Sequence, residues 1–163
     1  MVNGLKARLV KRRRDVLLTL AWITAVTVLI IATHRTFYIT DIRFATYNIP
    51  YLSYLGPAFS ELALLALIMV GIIVGTFLSD MKRLVYSYFM TMISSSVLAG
   101  VYVYLFIWFH LGFEANLSQI AFGWELAIWW SVVNVFKIMV PNGVILSFLG
   151  VVIGTVVRTV VSP

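Results

Sequence analysis

The stretch FGWELAIWWSVVNVFKIMVPNG, from Phe122 to Gly143, decides how the last third of the chain is arranged. It is apolar enough to enter a lipid bilayer, yet it carries Glu125, Asn134 and Lys137. It also holds three tryptophans, and tryptophan is enriched where a membrane meets water. The stretch therefore predicts either a helix that crosses a membrane or a helix that lies along its surface.

The composition of the whole chain predicts an integral membrane protein. Of its 163 residues, 62% are hydrophobic and 11% are charged, whereas a soluble domain is about half apolar and about a quarter charged. Runs such as VLLTLAWITAVTVLIIAT have the length of a membrane-spanning helix, for which about 18 apolar residues suffice. The chain has no cysteine, which excludes disulfides and thiolate metal sites. The expected fold is an all-α, polytopic bundle that forms one membrane domain over residues 1–163.

We predict five transmembrane helices in this domain, with a basic tail over residues 1–15 and an external aromatic loop over 34–56. The alternative is four spans plus one interfacial or re-entrant amphipathic helix at about 118–140. The five predicted spans are residues 16–33, 57–78, 84–110, 119–140 and 144–161.

Two short connections predict antiparallel helical hairpins. The turn Ser79–Arg83 joins the second and third spans, and Ser79 or Asp80 is suited to cap the third. The sequence PNG at Pro141–Gly143 is a compact helix stop that would join the fourth and fifth spans. Five spans with the N-terminus inside place the C-terminus outside.

The basic residues predict which side of the membrane each end occupies. The tail and the Ser79–Arg83 turn together hold eight Lys or Arg, whereas the predicted external loop holds two. This asymmetry predicts a cytoplasmic N-terminus in the plasma membrane, with anionic lipids near the basic tail. Nucleic acid is not expected as a partner, since no stacking aromatics accompany the tail. The charge tally does not decide whether Phe122–Gly143 crosses, because Lys137 and Arg158 merely exchange sides.

Helical periodicity gives the stretch a polar side. At about 100° per residue, Gln119, Gly123, Ser131, Asn134 and Lys137 fall on one side of a helix, while Glu125 falls elsewhere. Such a side faces either headgroups or the interior of a bundle. We expect Glu125, Asn134 and Lys137 to make contacts that matter for function.

Small residues recur at helix-packing spacing in three predicted spans. Small residues four apart let helices approach closely in lipid. We expect these positions to pack helices within the bundle, and the last pair is also suited to contact another subunit. The pairs are Gly71 with Gly75, Ser96 with Gly100, and Gly150 with Gly154.

Three ionisable residues are predicted to lie at similar depth near the outer surface: His34, Glu61 and His110. Two histidines and a carboxylate suit a divalent metal, and two histidines suit a haem iron or a quinone headgroup. The competing interpretation is that both histidines are hydrated at the interface and that Glu61 serves the positive end of its helix. Asn116, in the sequon NLS, is a candidate glycosylation site.

The sequence predicts no enzymatic activity for the chain alone, because it lacks a P-loop, a nucleophile elbow and a zinc-protease motif. No predicted span is interrupted near its midpoint by proline, which argues against a transporter with discontinuous helices. The expected function is that of a small non-catalytic membrane subunit that packs with partner subunits or with itself. The alternatives are a small ion, proton or solute transporter, or a redox subunit using His34 and His110.

Overall fold

The computed structural model describes residues 2–42, 58–78, 80–111 and 123–161, and within these ranges it contains helices and no strand. The predicted all-α bundle is thereby confirmed. A π-helical turn, Ile107–Leu111, extends α3, and the segment Met139–Gly143 joins α4 to α5. The helices are α1 (Val2–Ile42), α2 (Glu61–Phe77), α3 (Met81–Phe106), α4 (Gly123–Ile138) and α5 (Val144–Val161).

The helices are long and apolar enough to make this a membrane-embedded, multi-pass protein. Val10–Tyr38 and Met81–Phe109 each contain 29 residues, and Gly123–Val161 contains 39. At about 1.5 Å per residue, a 29-residue helix extends about 44 Å, which exceeds the ~30 Å hydrocarbon core of a bilayer. The fourth apolar element, α2, has 17 residues.

The helix boundaries follow local capping residues. Ser60 accepts a hydrogen bond from the Ala63 amide at the start of α2, and Asp80 accepts one from the Lys82 amide at the start of α3. Both interactions satisfy amide groups that have no partner within the first turn of a helix.

The first part of the predicted aromatic loop is helical. The first helix continues to Ile42, so that residues 34–42 of that loop belong to α1. The rest of that loop, residues 43–56, lies outside the described residues.

The first helix lies at the centre, where Trp22, Val26 and Ile30 are almost completely buried. It runs parallel to α3, because Thr19 contacts Ser87 at 2.9 Å and Ser95 donates to the Ile23 carbonyl further along. The second helix runs antiparallel to α1, because its last residue, Phe77, accepts a hydrogen bond from Arg14 in the first half of α1. We call one end of the bundle the basic end, formed by Lys11–Asp15, Asp80–Arg83 and Arg158.

The short turn between α2 and α3 does not make them a packed pair. The second helix packs mainly on α5 and secondarily on α1, whereas α3 packs on α1 and α4. The hairpin predicted from Ser79–Arg83 is therefore corrected in one respect. The two helices run in opposite directions, as expected, but their side chains contact other helices.

The last two predicted spans run in the same direction. Along α2 and α5, Gly71 lies beside Ser147 and Gly150, Gly75 lies beside Val151 and Gly154, and Arg158 donates to the Leu78 carbonyl. These contacts make α5 parallel to α2, so it ends at the basic end. The fourth helix contacts the turn that follows α3, and the next helix begins beside Tyr88, much nearer the start of α3. Hence α4 also runs toward the basic end.

The last two predicted spans, 119–140 and 144–161, correspond to α4 and α5, which lie in one apolar stretch, Gly123–Val161, and the number of helices that cross the membrane stays a prediction. The sequence PNG does not form a hairpin, and the end of α5 shares the basic end with the start of α1. The physical reason is the close contact of α5 with α2, which fixes the direction of α5 and which local sequence does not reveal.

The stretch Gly123–Val161 consists of two helices, α4 and α5, joined across a kink. Pro141 is the nineteenth of its 39 residues, and proline removes one helical hydrogen bond and disfavours helical backbone in the residue before it. Accordingly, Val140 has φ −111° and ψ 133°, which is extended backbone. Pro141 thus lies at the junction of α4 and α5, between the two predicted spans rather than inside either of them.

Candidate functional site

Two contacts between helices in this bundle involve small residues, and they differ in how closely the backbones approach. At the first, between α2 and α5, a Cβ added to Gly71 would lie 2.8 Å from the Ser147 carbonyl oxygen. At Gly75 it would lie 2.5 Å from the Val151 carbonyl oxygen. These separations leave no room for any side chain larger than hydrogen. The two helices therefore pack backbone against backbone, with glycine required at both positions.

The same holds for the opposing face of α5. A Cβ at Gly150 would meet the Ile68 carbonyl, and one at Gly154 would meet the Ile72 carbonyl. Thr76 adds a hydrogen bond across the contact, at 3.3 Å from the Gly154 carbonyl oxygen. The suggestion that Gly150 and Gly154 also contact another subunit is corrected, because α2 already occupies their face.

The second contact lies between α3 and α4 and is open. At Gly100 no atom of the described residues, apart from its own helix, lies within 4 Å of an added Cβ. Gly100 and Ser96 instead line a groove of about 820 Å³, which we call the α3–α4 groove. Its remaining lining is mostly apolar and includes Met92, Val97, Tyr104, Ile128, Ser131 and Val135, with Met139, Val140 and Val144 at the break.

The hydroxyl groups in the α3–α4 groove are satisfied within their own helices. Ser96 donates to the Met92 carbonyl at 2.7 Å, and Ser131 donates to the Ile128 carbonyl at 2.7 Å. A hydroxyl that is already hydrogen-bonded to its own helix adds little polarity to the surface around it. The groove is therefore an apolar surface with small residues at Ser96, Gly100 and Ser131, suited to an apolar ligand or helix rather than to an ion.

Tyr88 attaches the junction of α4 and α5 to α3. Its hydroxyl donates to the Val144 carbonyl at 2.9 Å, and its ring lies 5.7 Å from the Phe148 ring and 6.0 Å from the Trp22 ring. These contacts hold the start of α5 against α1 and α3. They also fix one end of the α3–α4 groove.

The predicted polar side of α4 is divided between the bundle and its surroundings. Asn134 is buried and donates to the Trp130 carbonyl at 2.8 Å, one turn earlier in the same helix. Lys137 is half-buried in the last turn of α4, and Glu125 is exposed in the first turn. Each charge thus lies at the helix end whose dipole it complements. The structure does not bring Glu125 and Lys137 together, since they occupy opposite ends of α4.

The residues predicted to hold a metal or haem are placed differently from one another. His34, on α1, is buried against α3, with its ring 5.3 Å from that of Phe106 and 6.4 Å from that of Tyr102. Glu61 is exposed in the first turn of α2. Within the described part of the chain, no group of three or more His, Asp or Glu side chains is suited to a metal ion. The side chain of His110 and the whole of Asn116 lie outside that part, so the metal, haem, quinone and glycosylation hypotheses stay predictions.

Sequence reasoning missed the ion pairs at the basic end. Asp15 is buried and lies 2.6 Å from the Arg83 guanidinium and 4.0 Å from that of Arg14. Arg14 also donates to the Phe77 carbonyl, and Arg158 donates to the Leu78 carbonyl. Two arginines from opposite ends of the chain thus donate to the carbonyl groups of the last residue of α2, Phe77, and of its C-cap, Leu78. The available signal was Asp15 itself, an acidic residue directly after four basic ones.

A comparison of the chain with protein families, with curated proteins and with solved structures finds no match.

Proposed function

We propose that the protein is a small non-catalytic membrane subunit whose α3–α4 groove receives a transmembrane helix of a partner subunit. The observation that carries this proposal is Gly100, a glycine for which the chain itself provides no packing neighbour among the described residues. Association of helices in lipid depends on close van der Waals contact, and small residues make that contact possible. Ser96 and Gly100 supply such a surface and leave it open.

The dimensions of the groove support a helix as its occupant. Its α3 side runs from Met92 to Tyr104, about 18 Å along the helix axis at ~1.5 Å per residue. That length corresponds to more than three turns of a partner helix. The two sides are apolar along this length, so a partner helix would need to present an equally apolar, closely fitting face.

The exposure of α3 on both sides of the groove edge allows a clean test. A photo-reactive phenylalanine derivative is placed at Val97, which lines the groove, and at Leu98, which is exposed on α3 outside it. Illumination of native membranes should give a protein adduct from position 97 and little or none from position 98. Mass spectrometry then identifies the adduct. Equal adducts from both positions, adducts with lipid alone, or adducts with a second copy of this chain would each contradict the proposal.

We also propose that the basic end faces the cytoplasm of the cell that carries this protein in its plasma membrane. The eight Lys or Arg of the tail and turn are joined at this end by Arg158. Basic residues accumulate on the cytoplasmic side of membrane proteins. Epitope tags at the two termini should both be accessible from the cytoplasm, and a C-terminal tag accessible only from outside would contradict this orientation.

A second candidate function, transport of a small ion or solute, is favoured by the break at Val140–Pro141. Transporters often place their substrate at discontinuous helices, where carbonyl groups lack helical partners. Here the Tyr88 hydroxyl occupies the Val144 carbonyl, at 2.9 Å. If the break is a substrate site, Tyr88→Phe should alter flux in proteoliposomes. Flux equal to that of empty liposomes, for protons and for monovalent cations, would contradict the transport function.

A further inference from the structure

A second cavity, distinct from the α3–α4 groove, opens at the basic end between α1 and α3. It measures about 480 Å³, and we call it the α1–α3 cleft. Six of its lining residues come from one face of α1 at helical spacing, and four come from the first three turns of α3. The lining includes Arg12, Asp15, Thr19 and Ile23 from α1, and Arg83, Ser87 and Met90 from α3.

The polarity of the α1–α3 cleft changes in order along the bundle axis. At the basic end it is charged, with Arg12, Asp15 and Arg83. One turn deeper, the hydroxyl groups of Thr19 and Ser87 lie 2.9 Å apart. Deeper still, the lining is apolar. The polar groups of the cleft thus run from charge to hydroxyl, with Val16, Leu20 and Tyr86 beside them, and the cleft ends in hydrocarbon. A phospholipid has the same order of polar groups and hydrocarbon from headgroup to acyl chain.

Among the charged residues that line the cleft, one cation has no ion-pair partner in the described part of the chain. Asp15 accepts from Arg83 at 2.6 Å and lies 4.0 Å from Arg14, and Arg83 also lies 3.9 Å from Asp80. Arg12 makes no hydrogen bond or ion pair with any described residue, and its side chain is exposed at the mouth of the cleft. In the lining, two arginines therefore face one aspartate, and the positive charge without a described partner is at Arg12.

We infer that the α1–α3 cleft binds an anionic phospholipid, with its headgroup phosphate at Arg12 and one acyl chain against Ile23 and Met90. Arginine recognises phosphate through paired N–H donors, and basic residues at the membrane surface attract anionic headgroups. The apolar depth of the cleft distinguishes a lipid from free phosphate, which would use the charged mouth alone. This site is independent of the partner helix proposed for the α3–α4 groove.

The inference is tested with the full chain in neutral detergent, with phosphatidylglycerol or phosphatidylcholine added to the micelles. Phosphatidylglycerol should raise the Tm of the wild type, whereas phosphatidylcholine should not. Arg12→Gln should weaken the apparent Kd for phosphatidylglycerol about fivefold, the effect of one basic residue near a membrane surface. Arg13→Gln is the matched control, because it removes the same charge from the next residue, which does not line the cleft; it should leave the apparent Kd unchanged.

A second variant tests the acyl-chain half of the cleft without changing any charge. Met90 is 38% exposed, so that Met90→Trp fills the apolar part of the cleft without disturbing the core. It should abolish the Tm shift caused by phosphatidylglycerol. The inference would be overturned by equal weakening in Arg12→Gln and Arg13→Gln, since that indicates general electrostatic attraction. It would also be overturned if millimolar inorganic phosphate reproduced the Tm shift and Met90→Trp left it unchanged.

Discussion

The α2–α5 contact and the α3–α4 contact use the same kind of residue with opposite results. Between α2 and α5, glycines on both helices bring the backbones so close that an added Cβ would meet carbonyl groups. Between α3 and α4, Gly100 has open space above it. A small residue in a membrane helix therefore indicates that close approach is possible, and the rest of the fold decides whether the chain itself makes that approach.

The largest expected effect comes from replacing a glycine in the α2–α5 contact with a larger residue. Gly150→Leu inserts a side chain where the Ile68 carbonyl lies, and backbone cannot move aside as a flexible side chain can. Overpacking typically costs about 1–3 kcal/mol in the free energy of unfolding, and we expect this variant at the upper end of that range because it meets backbone. Titration with SDS, followed by far-UV circular dichroism, measures the loss. A wild-type unfolding curve for this variant would mean that α2 and α5 are further apart than described.

The ion pair between Asp15 and Arg83 provides a contact between helices that does not depend on small residues. Asp15→Asn removes the charge while retaining the shape, and it leaves the Arg83 guanidinium without its 2.6 Å partner. Since hydrogen bonds to charged groups contribute about 1.5–3 kcal/mol, we expect a loss of about 2 kcal/mol in the same SDS titration.

Asp80→Asn is the matched control for this pair. Asp80 is exposed and lies 3.9 Å from Arg83, and asparagine caps a helix about as well as aspartate. Its cost should therefore be a few tenths of a kcal/mol, as for other exposed ion pairs. Equal losses in the two variants would show that burial of Asp15 contributes nothing.

Leucine at Gly100, in the open α3–α4 contact, should have the opposite effect on stability from leucine at Gly150. Gly100→Leu meets no described neighbour, and leucine is a better helix former than glycine by up to about 1 kcal/mol. The isolated chain should therefore be as stable as the wild type or slightly more stable. The same side chain fills the α3–α4 groove, so copurification of the partner subunit from native membranes should be lost. Destabilisation comparable to that of Gly150→Leu would place Gly100 in a closed contact.

The smallest expected effect concerns the hydrogen bond beside the break. Tyr88→Phe keeps the ring against Trp22 and Phe148 but removes the donor to the Val144 carbonyl. Hydrogen bonds between helices in membrane proteins contribute about 0.6 kcal/mol on average, and we expect a loss near that value. Tyr86→Phe, at an exposed position on the same helix, should change the SDS midpoint by less than Tyr88→Phe does. If the two variants are indistinguishable, Tyr88 does not hold the start of α5.

Much of the fold could be predicted from sequence because it depends on local properties. Long apolar runs specify helices in a membrane, and Asp80 was one of two residues suited to cap α3. The direction of α5 could not be predicted in this way. Charge bias gives the same tally for both directions, since Lys137 and Arg158 exchange sides. What fixes the direction is contact between α5 and a helix far earlier in the chain, and the periodicity of α5 does not say which helix that is.

The candidate site was predictable only in its components. The spacing of Ser96 and Gly100 marks them as small residues on one helix face, but the same spacing marks Gly71 and Gly75. Which pair is covered depends on where α5 lies. Likewise, Asp15 follows a basic run, but its burial depends on the register between α1 and α3 that Thr19 and Ser87 reveal.

The pairing of α2 with α5 has a consequence for biosynthesis. Gly71 and Gly150 are 79 residues apart in the chain, so α2 enters the membrane well before the helix that it packs against has been synthesised. During that interval the glycine face of this 17-residue helix lacks the neighbour that covers it in the complete bundle. Assembly of α2 into the bundle is therefore completed late, when α5 inserts beside it and Arg158 reaches the Leu78 carbonyl.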